Sequence, residues 1–261
     1  MRTSRPHRLP VLAVLIAAAA ATTVAAAPVR SAPLFERYVA LGDSSAAVGS
    51  VDRLQPGSPR FCSRAADNYP SVLAHMLKVA EFADMSCSSA RTEHMTTPQT
   101  GRGGTANPPQ FDALTADTDL VTVTLGANDI GTINVNVISD AQRELIRQRV
   151  GAVLDEIHRR APRATVVLTA YLRYFPPGGG CHGFFDQGGQ QRLTDTLRAT
   201  ADAHEARFVD VFAATGHDMC QPPGANWVNG PSPDTRTVPL HANVAGQAYL
   251  ATAIAAALPD R

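Results

Sequence analysis

Ser44, Asn128 and His241 are the side chains of this 261-residue sequence whose types and positions best suit nucleophilic catalysis. Ser44 lies in Gly42-Asp-Ser-Ser45, directly after a predicted strand, where a serine has its hydroxyl at the sheet edge and its amide at a helix start. Asn128 follows another predicted strand in Gly126-Ala-Asn-Asp129, from which a side-chain amide can stabilise a developing oxyanion. Both also have a plainer interpretation, because Ser often caps a helix and Asn often makes a turn.

A serine nucleophile needs a base, and His241 is the best placed of the eight histidines. It follows Val238-Pro-Leu240 and directly precedes the last predicted helix, so it lies on a loop at a helix entrance. The others fall in the N-terminal segment, within predicted helices or in polar loops; they are His7, His75, His94, His158, His182, His204 and His217.

The elements that must position these side chains alternate between strand and helix. Predicted strands cover 37–42, 79–86, 119–125, 164–170 and 207–211, and predicted helices cover 68–78, 141–160, 190–205 and 243–257. This order predicts an α/β fold, with one domain built on a parallel sheet and helices on both faces. Such sheets place their sites at the carboxyl ends of the strands, where the Gly/Pro-rich stretches 98–110, 175–190 and 221–239 are expected to form loops.

Three ordered motifs resemble those of the SGNH (GDSL-type) hydrolases: Ala40-Leu-Gly-Asp-Ser-Ser45, Gly126-Ala-Asn-Asp129 and Leu240-His-Ala-Asn-Val-Ala-Gly-Gln247. Tyr69-Pro70 and Cys87-Ser-Ser-Ala90 are similar to the secreted actinobacterial lipase/esterase branch of that family. The resemblance spans roughly residues 37 to 256. It implies a three-layer α/β/α sandwich with a central parallel sheet of about five strands, the flavodoxin-like SGNH fold.

The same resemblance implies the site residues. Ser44 is then the nucleophile, His241 the general base, and the oxyanion hole consists of the Ser44 amide, the Ser89 amide and the Asn128 side chain. Ser89 is a departure, since the family usually has Gly there, and Gly is favoured if that position requires a positive φ.

The group that orients His241 is a second departure. The family often has Asp three residues before its His, where this chain has Val238. Some secreted relatives use a backbone carbonyl instead, and we expect this from Val238 or Pro239. Asp234 is the alternative, and Asp43 is expected to stabilise its local turn.

The implied reaction is hydrolysis of a carboxylic ester, with a small-molecule or lipid ester as substrate. The alternatives are a deacetylase of glycans, a phospholipase or a thioesterase on the same Ser/His pair, or a catalytically inactive lipid- or glycan-binding homologue. Trp227, Phe184 and Phe185 are candidates for an acyl pocket, although loop aromatics more often pack against the core. No metal or organic cofactor is expected, because the histidines lack ligand spacing and no phosphate-binding Gly-rich loop occurs.

The N-terminus has the three parts of a secretory signal. Arg2, Arg5 and Arg8 precede the apolar run 11–21, and Ala25-Ala-Ala27 supplies the small residues of a cleavage site. We therefore predict a signal peptide over 1–27, a connector over 28–36 and the hydrolase domain over 37–261, with cleavage after Ala32 as an alternative. The protein is then secreted, without a stable membrane anchor; an uncleaved anchor is the competing interpretation.

Four cysteines in an exported chain suggest two disulfides. Three pairings are possible, and we favour Cys62–Cys87 with Cys181–Cys220 because each closes a local loop. None lies in a CxxC pair, so a zinc or redox motif has little support.

Charge excludes one class of partner. The chain has 23 Lys+Arg and 23 Asp+Glu, and loss of residues 1–27 removes three arginines and leaves a net charge of −3. Without a basic surface, nucleic acid is not an expected partner, and a monomer acting on a small molecule or lipid is expected.

Overall fold

The computed structural model describes residues 1, 35–101, 104–131, 137–232 and 236–259. The backbone divides into a unit over residues 1–31 and a unit over 32–261, and every element below belongs to the second. The predicted signal peptide (apart from Met1) and Asp234 lie outside the described residues.

Nine strands and five α-helices occur in the described part of the chain. In chain order they are β1 (Arg37–Gly42), α1 (Ser44–Ala47), α2 (Tyr69–Leu77), β2 (Glu81–Asp84), β3 (Gln99–Thr100), β4 (Ala106–Asn107), β5 (Leu120–Thr124), α3 (Asp140–Arg160), β6 (Thr165–Thr169), β7 (Gly180–Cys181), β8 (Phe184–Phe185), α4 (Gly189–Ala203), β9 (Arg207–Val209) and α5 (Val244–Ala257).

The centre of the fold is a five-stranded sheet in the order β2-β1-β5-β6-β9. All four strand pairings are parallel, which confirms the predicted α/β class. The chain first winds outward from β1 to β2 and then returns to add β5 on the other side of β1. The loops after β1 and β5 therefore leave the sheet in opposite directions, and such a switch point is where ligands bind in open α/β sheets.

Side chains on the strands alternate between two buried layers. Val39 and Leu41 of β1 contribute to the core that contains α3 and α4 residues, whereas Tyr38 and Ala40 contribute to the core that contains α2 and α5 residues. The two cores lie on opposite faces of the sheet, which gives the predicted three-layer sandwich.

Local sequence signals set the helix boundaries to within about two residues. Asn68 caps α2, because its Oδ1 accepts a hydrogen bond from the Ser71 amide at 3.0 Å. Helix α3 begins with a capping box, in which the Gln142 amide donates to Ser139 Oγ and the Ser139 amide donates to Gln142 Oε1. None of the helices in the described ranges combines the length and apolar character that a membrane span requires.

Two of the stretches predicted as loops contain short antiparallel hairpins, β3–β4 and β7–β8. Strands of two residues carry no measurable hydrophobic alternation, so the sequence pattern did not reveal them.

Both disulfides of the favoured pairing are present, Cys62–Cys87 and Cys181–Cys220. The first joins the segment before α2 to the loop after β2. The second joins the β7–β8 hairpin to the loop before α5.

Removing either disulfide by a double Cys→Ser substitution is expected to lower the free energy of unfolding by ~3–4 kcal/mol, because each bond restricts the unfolded chain. The closed segments span 25 and 39 residues, so the two losses should be nearly equal. Urea unfolding of the two double variants beside the wild type measures this. Losses well below ~1 kcal/mol would contradict the loop-entropy account.

Candidate active site

The turn that carries Ser44 is built by Gly42 and Asp43. Gly42 has φ +148°, and a Cβ there would lie 2.5 Å from the Thr124 carbonyl oxygen, so only glycine fits. Asp43 is the N-cap of α1, since its Oδ1 accepts a hydrogen bond from the Ser45 amide at 2.9 Å. Capping is thus the role of Asp43, and the Ser44 hydroxyl is left for another partner.

That partner is His241, whose Nε2 lies 2.7 Å from Ser44 Oγ. The other ring nitrogen, Nδ1, lies 2.7 Å from the Pro239 carbonyl oxygen. A carbonyl only accepts hydrogen bonds, so Nδ1 carries the proton and Nε2 is the acceptor for the serine hydroxyl. This is the tautomer that a general base requires.

The turn before His241 selects Pro239 rather than Val238. Leu240 adopts φ +57°, which turns the chain so that the Pro239 carbonyl meets the ring two residues later. The Val238 carbonyl instead accepts a hydrogen bond from Asn229 Nδ2 at 3.0 Å. The Asn229 amide also donates to the His241 carbonyl, so Asn229 holds both ends of this turn.

Burial lowers the pKa of His241 below its usual 6.5, and the hydrogen bond to Pro239 offsets only part of the effect. The imidazole is therefore neutral at neutral pH and able to accept a proton.

The three expected oxyanion donors belong to loops that contact one another. The Cys87 amide donates to the Gly42 carbonyl at 3.1 Å, which brings the loop 87–90 beside the turn of Ser44. Asn128 Nδ2 donates to the Ala90 carbonyl at 3.0 Å, which joins the loop after β5 to the same loop. Within the described residues, the amides of Ser44 and Ser89 have no hydrogen-bond partner. Ser89 adopts φ +64°, the conformation in which Gly is favoured.

Tyr171 connects the loop after β1, which carries Ser44, to the loop after β5, which carries Asn128. Its hydroxyl donates to Asp43 Oδ2 at 2.6 Å and accepts from the Ala127 amide at 3.1 Å. Burial, and to a lesser degree the charge of Asp43, raise the pKa of Tyr171, so the phenol remains a donor. One side chain thus fixes the residue before Ser44 relative to the residue before Asn128.

A small cavity of about 20 Å³ opens beside Ser44. Tyr171, Tyr174 and Leu193 are among its walls, together with Asn128 and His241. The aromatic candidates from the sequence lie elsewhere. Trp227 is stacked between His217 and Tyr249, Phe184 packs against the core, and Phe185 is 67% exposed.

Buried glutamines are the residues that sequence reasoning missed. Gln110 bonds both the amide (2.7 Å) and the carbonyl (2.9 Å) of Gly42, and Gln247 bonds the Tyr69 amide and the Ser45 carbonyl. Gln190 bonds the Leu172 carbonyl and the Tyr174 amide in the same manner. No local pattern marks such residues, although Gln247 lies within the third motif.

A polar Ser–His pair at the switch point of a parallel sheet, with amide donors on the neighbouring loops, is typical of serine-dependent hydrolytic enzymes. The chain belongs to the GDSL-like lipase/acylhydrolase family, whose model matches residues 40–249.

Relatives of known name agree with this assignment. Lipase 2 of Streptomyces coelicolor is 30% identical to this chain over 88% of each protein. Among solved structures, phospholipase A1 from Streptomyces albidoflavus aligns with a TM-score of 0.68 and 25% identity, covering 86% of this chain and all of the other. The extracellular lipase of Streptomyces rimosus aligns with a TM-score of 0.66 and 27% identity, over 85% of this chain and 99% of that one. The protein is therefore a carboxylic-ester hydrolase.

Burial makes the stability of this site depend on pH. Burial raises the pKa of Asp43 from 3.8 to about 7, against the opposing hydrogen bonds from Tyr171 and Ser45. The folded protein then binds more protons than the unfolded chain between pH 4 and 7, so the contribution of Asp43 to stability falls as pH rises through that range, by on the order of 4 kcal/mol.

Asp43→Asn should remove this fall and flatten the dependence of unfolding free energy on pH between 4 and 7. Urea unfolding at several pH values measures it, with Asp202→Asn, an exposed carboxylate of α4, as the matched control. A wild type and an Asp43→Asn variant with parallel pH profiles would exclude this titration.

Proposed function

We propose that the protein is an exported serine esterase or lipase in which Ser44 is the nucleophile and His241 the general base and later the general acid. The observation that carries the proposal is the 2.7 Å separation of Ser44 Oγ and His241 Nε2, together with the tautomer that Pro239 imposes.

The reaction follows from this geometry in two steps. His241 Nε2 takes the hydroxyl proton as Ser44 Oγ attacks the carbonyl carbon of the ester, and the protonated imidazole then gives that proton to the departing alcohol. Water, deprotonated by the same nitrogen, then attacks the acyl carbon; the bond to Ser44 Oγ breaks, the imidazolium returns its proton to Ser44 Oγ, and the acid is released. The amides of Ser44 and Ser89 and the side chain of Asn128 stabilise the oxyanion in both steps.

Pro239 takes the place of a triad carboxylate in this proposal. Its carbonyl dipole fixes the ring and its tautomer but carries no full charge, so it stabilises the imidazolium less than a carboxylate does. The site is then a Ser–His dyad assisted by the main chain.

The substrate is proposed to be a small-molecule or lipid ester of a carboxylic acid, as the names of the relatives suggest. The Ser44–His241 contact favours catalysis over an inactive binding role. Export is supported by the two disulfides and by the extracellular relative.

A fluorophosphonate probe, which reacts with activated serines, tests the nucleophile. We expect labelling of the wild type, no labelling of Ser44→Ala, and a labelling rate lowered by ~10³-fold or more in His241→Ala. Ser58→Ala is the control that should label normally. A folded wild type that does not react refutes the proposal.

Asp234→Ala tests the orienting group. Because Nδ1 of His241 already donates to Pro239, this variant should retain kcat within about threefold of the wild type. Steady-state kinetics on a p-nitrophenyl ester measures it. A loss of ~10³-fold would assign the orienting role to Asp234 and overturn the carbonyl interpretation.

A further inference from the structure

The peptide between Ser88 and Ser89 has one hydrogen-bond partner among the described residues, the side chain of Gln99. Gln99 lies in β3 and is 8% exposed, and its Nε2 donates to the Ser88 carbonyl at 2.7 Å. The neighbouring peptides are held by main-chain bonds, through the amides of Cys87, Ser88 and Ala90. Among the four peptide units between residues 86 and 90, the 88–89 unit is the one with no main-chain hydrogen bond within the described residues.

Fixing the Ser88 carbonyl also fixes the direction of the Ser89 N–H. The peptide plane is rigid, and the described backbone contains no cis peptide bond, so the C=O and N–H of this unit point in opposite directions. With the carbonyl turned toward Gln99, the N–H points away from it. That N–H is the proposed oxyanion donor of the loop.

Ser89 itself opposes this orientation. Its φ of +64° is a conformation that L residues other than Gly, Asn and Asp rarely adopt. Rotation of the 88–89 peptide by about half a turn would carry φ to roughly −120°, which is comfortable for serine. It would also turn the N–H out of the oxyanion hole. A glycine, which the family usually has here, adopts positive and negative φ about equally well, so it would not favour the rotated peptide.

Gln99 is poorly explained by stability alone. Its Oε1 is buried without a hydrogen-bond partner in the part of the chain that the structure describes. The unpaired Oε1 costs folding free energy, and this cost offsets part of the stability that the hydrogen bond to the Ser88 carbonyl contributes.

We infer that Gln99 is a positioning residue for the reaction: its side-chain amide holds the Ser88–Ser89 peptide in the strained orientation that directs the Ser89 N–H at the oxyanion. The inference rests on the proposed function, and it explains how this chain retains that donor with Ser in place of Gly.

Gln99→Met, which keeps the length of the side chain but removes the donor, tests the inference in two backgrounds. In the wild-type background, we expect kcat for a p-nitrophenyl ester to fall ~10–100-fold with little change in KM, because an oxyanion donor acts mainly in the transition state. The Ki of 1-butaneboronic acid, whose adduct with Ser44 is tetrahedral, should rise by the same factor. In the Ser89→Gly background, the same substitution should lower kcat by less than about threefold, since glycine accepts the positive φ.

Gln55→Met is the matched control. Gln55 Nε2 bonds the Ala65 carbonyl, Ser71 and Asp84, none of which is a proposed site residue or a partner of the 88–89 peptide. This variant should lower the unfolding temperature while leaving kcat and the boronate Ki unchanged.

Three results would overturn the inference: an unchanged kcat in Gln99→Met, an equal loss in both backgrounds, or a boronate Ki that does not follow kcat. A crystal structure of Gln99→Met gives a test that needs no activity, because a peptide 88–89 that keeps its orientation also excludes it. Failure of the proposed function is distinct, since the wild type itself would then show neither turnover nor labelling of Ser44.

Discussion

The contact between Ser44 Oγ and His241 Nε2 is the interaction on which the rest of the site depends. It joins residues 197 positions apart, one on the turn after the first strand and the other just before the last helix. Such a contact exists only if the whole sheet has formed and α5 has packed against it. Gln247 stabilises the packing of α5 beside the turn of Ser44, because its side chain bonds the Tyr69 amide and the Ser45 carbonyl. Assembly of the site therefore requires that the two ends of the domain pack together.

Amide side chains hold the loops that carry the site. The loops leave the sheet and lose its ladder of hydrogen bonds, so their backbone groups need other partners. Gln110 supplies both a donor and an acceptor to Gly42, whereas Asn229 donates twice to the turn of His241, from its side chain to the Val238 carbonyl and from its main chain to the His241 carbonyl. An amide serves well here, because it donates and accepts without a charge to desolvate.

The sequence predicted the sheet and the loops of the site, and it did so for identifiable reasons. Strands β1 and β5 are buried on both faces and read as apolar or β-branched runs, each with a glycine at or shortly after its carboxyl end, Gly42 or Gly126. The carboxyl ends of these strands, and hence the positions of Ser44 and Asn128, could therefore be located. The two hairpins and the buried glutamines depend on contacts between distant segments. The choice of Pro239 over Val238 depends on the φ of Leu240 and on Asn229, neither of which has a local signal.

The two departures from the family pattern, Ser89 and Val238, both concern main-chain groups of the proposed site. In the proposed mechanism the Pro239 carbonyl orients the base in place of a carboxylate, and the Ser89 peptide supplies an oxyanion donor although its φ is strained for serine. Main-chain dipoles are weaker than full charges, but they are fixed by the fold and need little reorganisation as charge develops. The negative charge of a carboxylate near the oxyanion would oppose the negative charge that forms there, whereas neutral amides do not. Neutral holding groups thus suit a site in which an imidazolium and an oxyanion must form side by side.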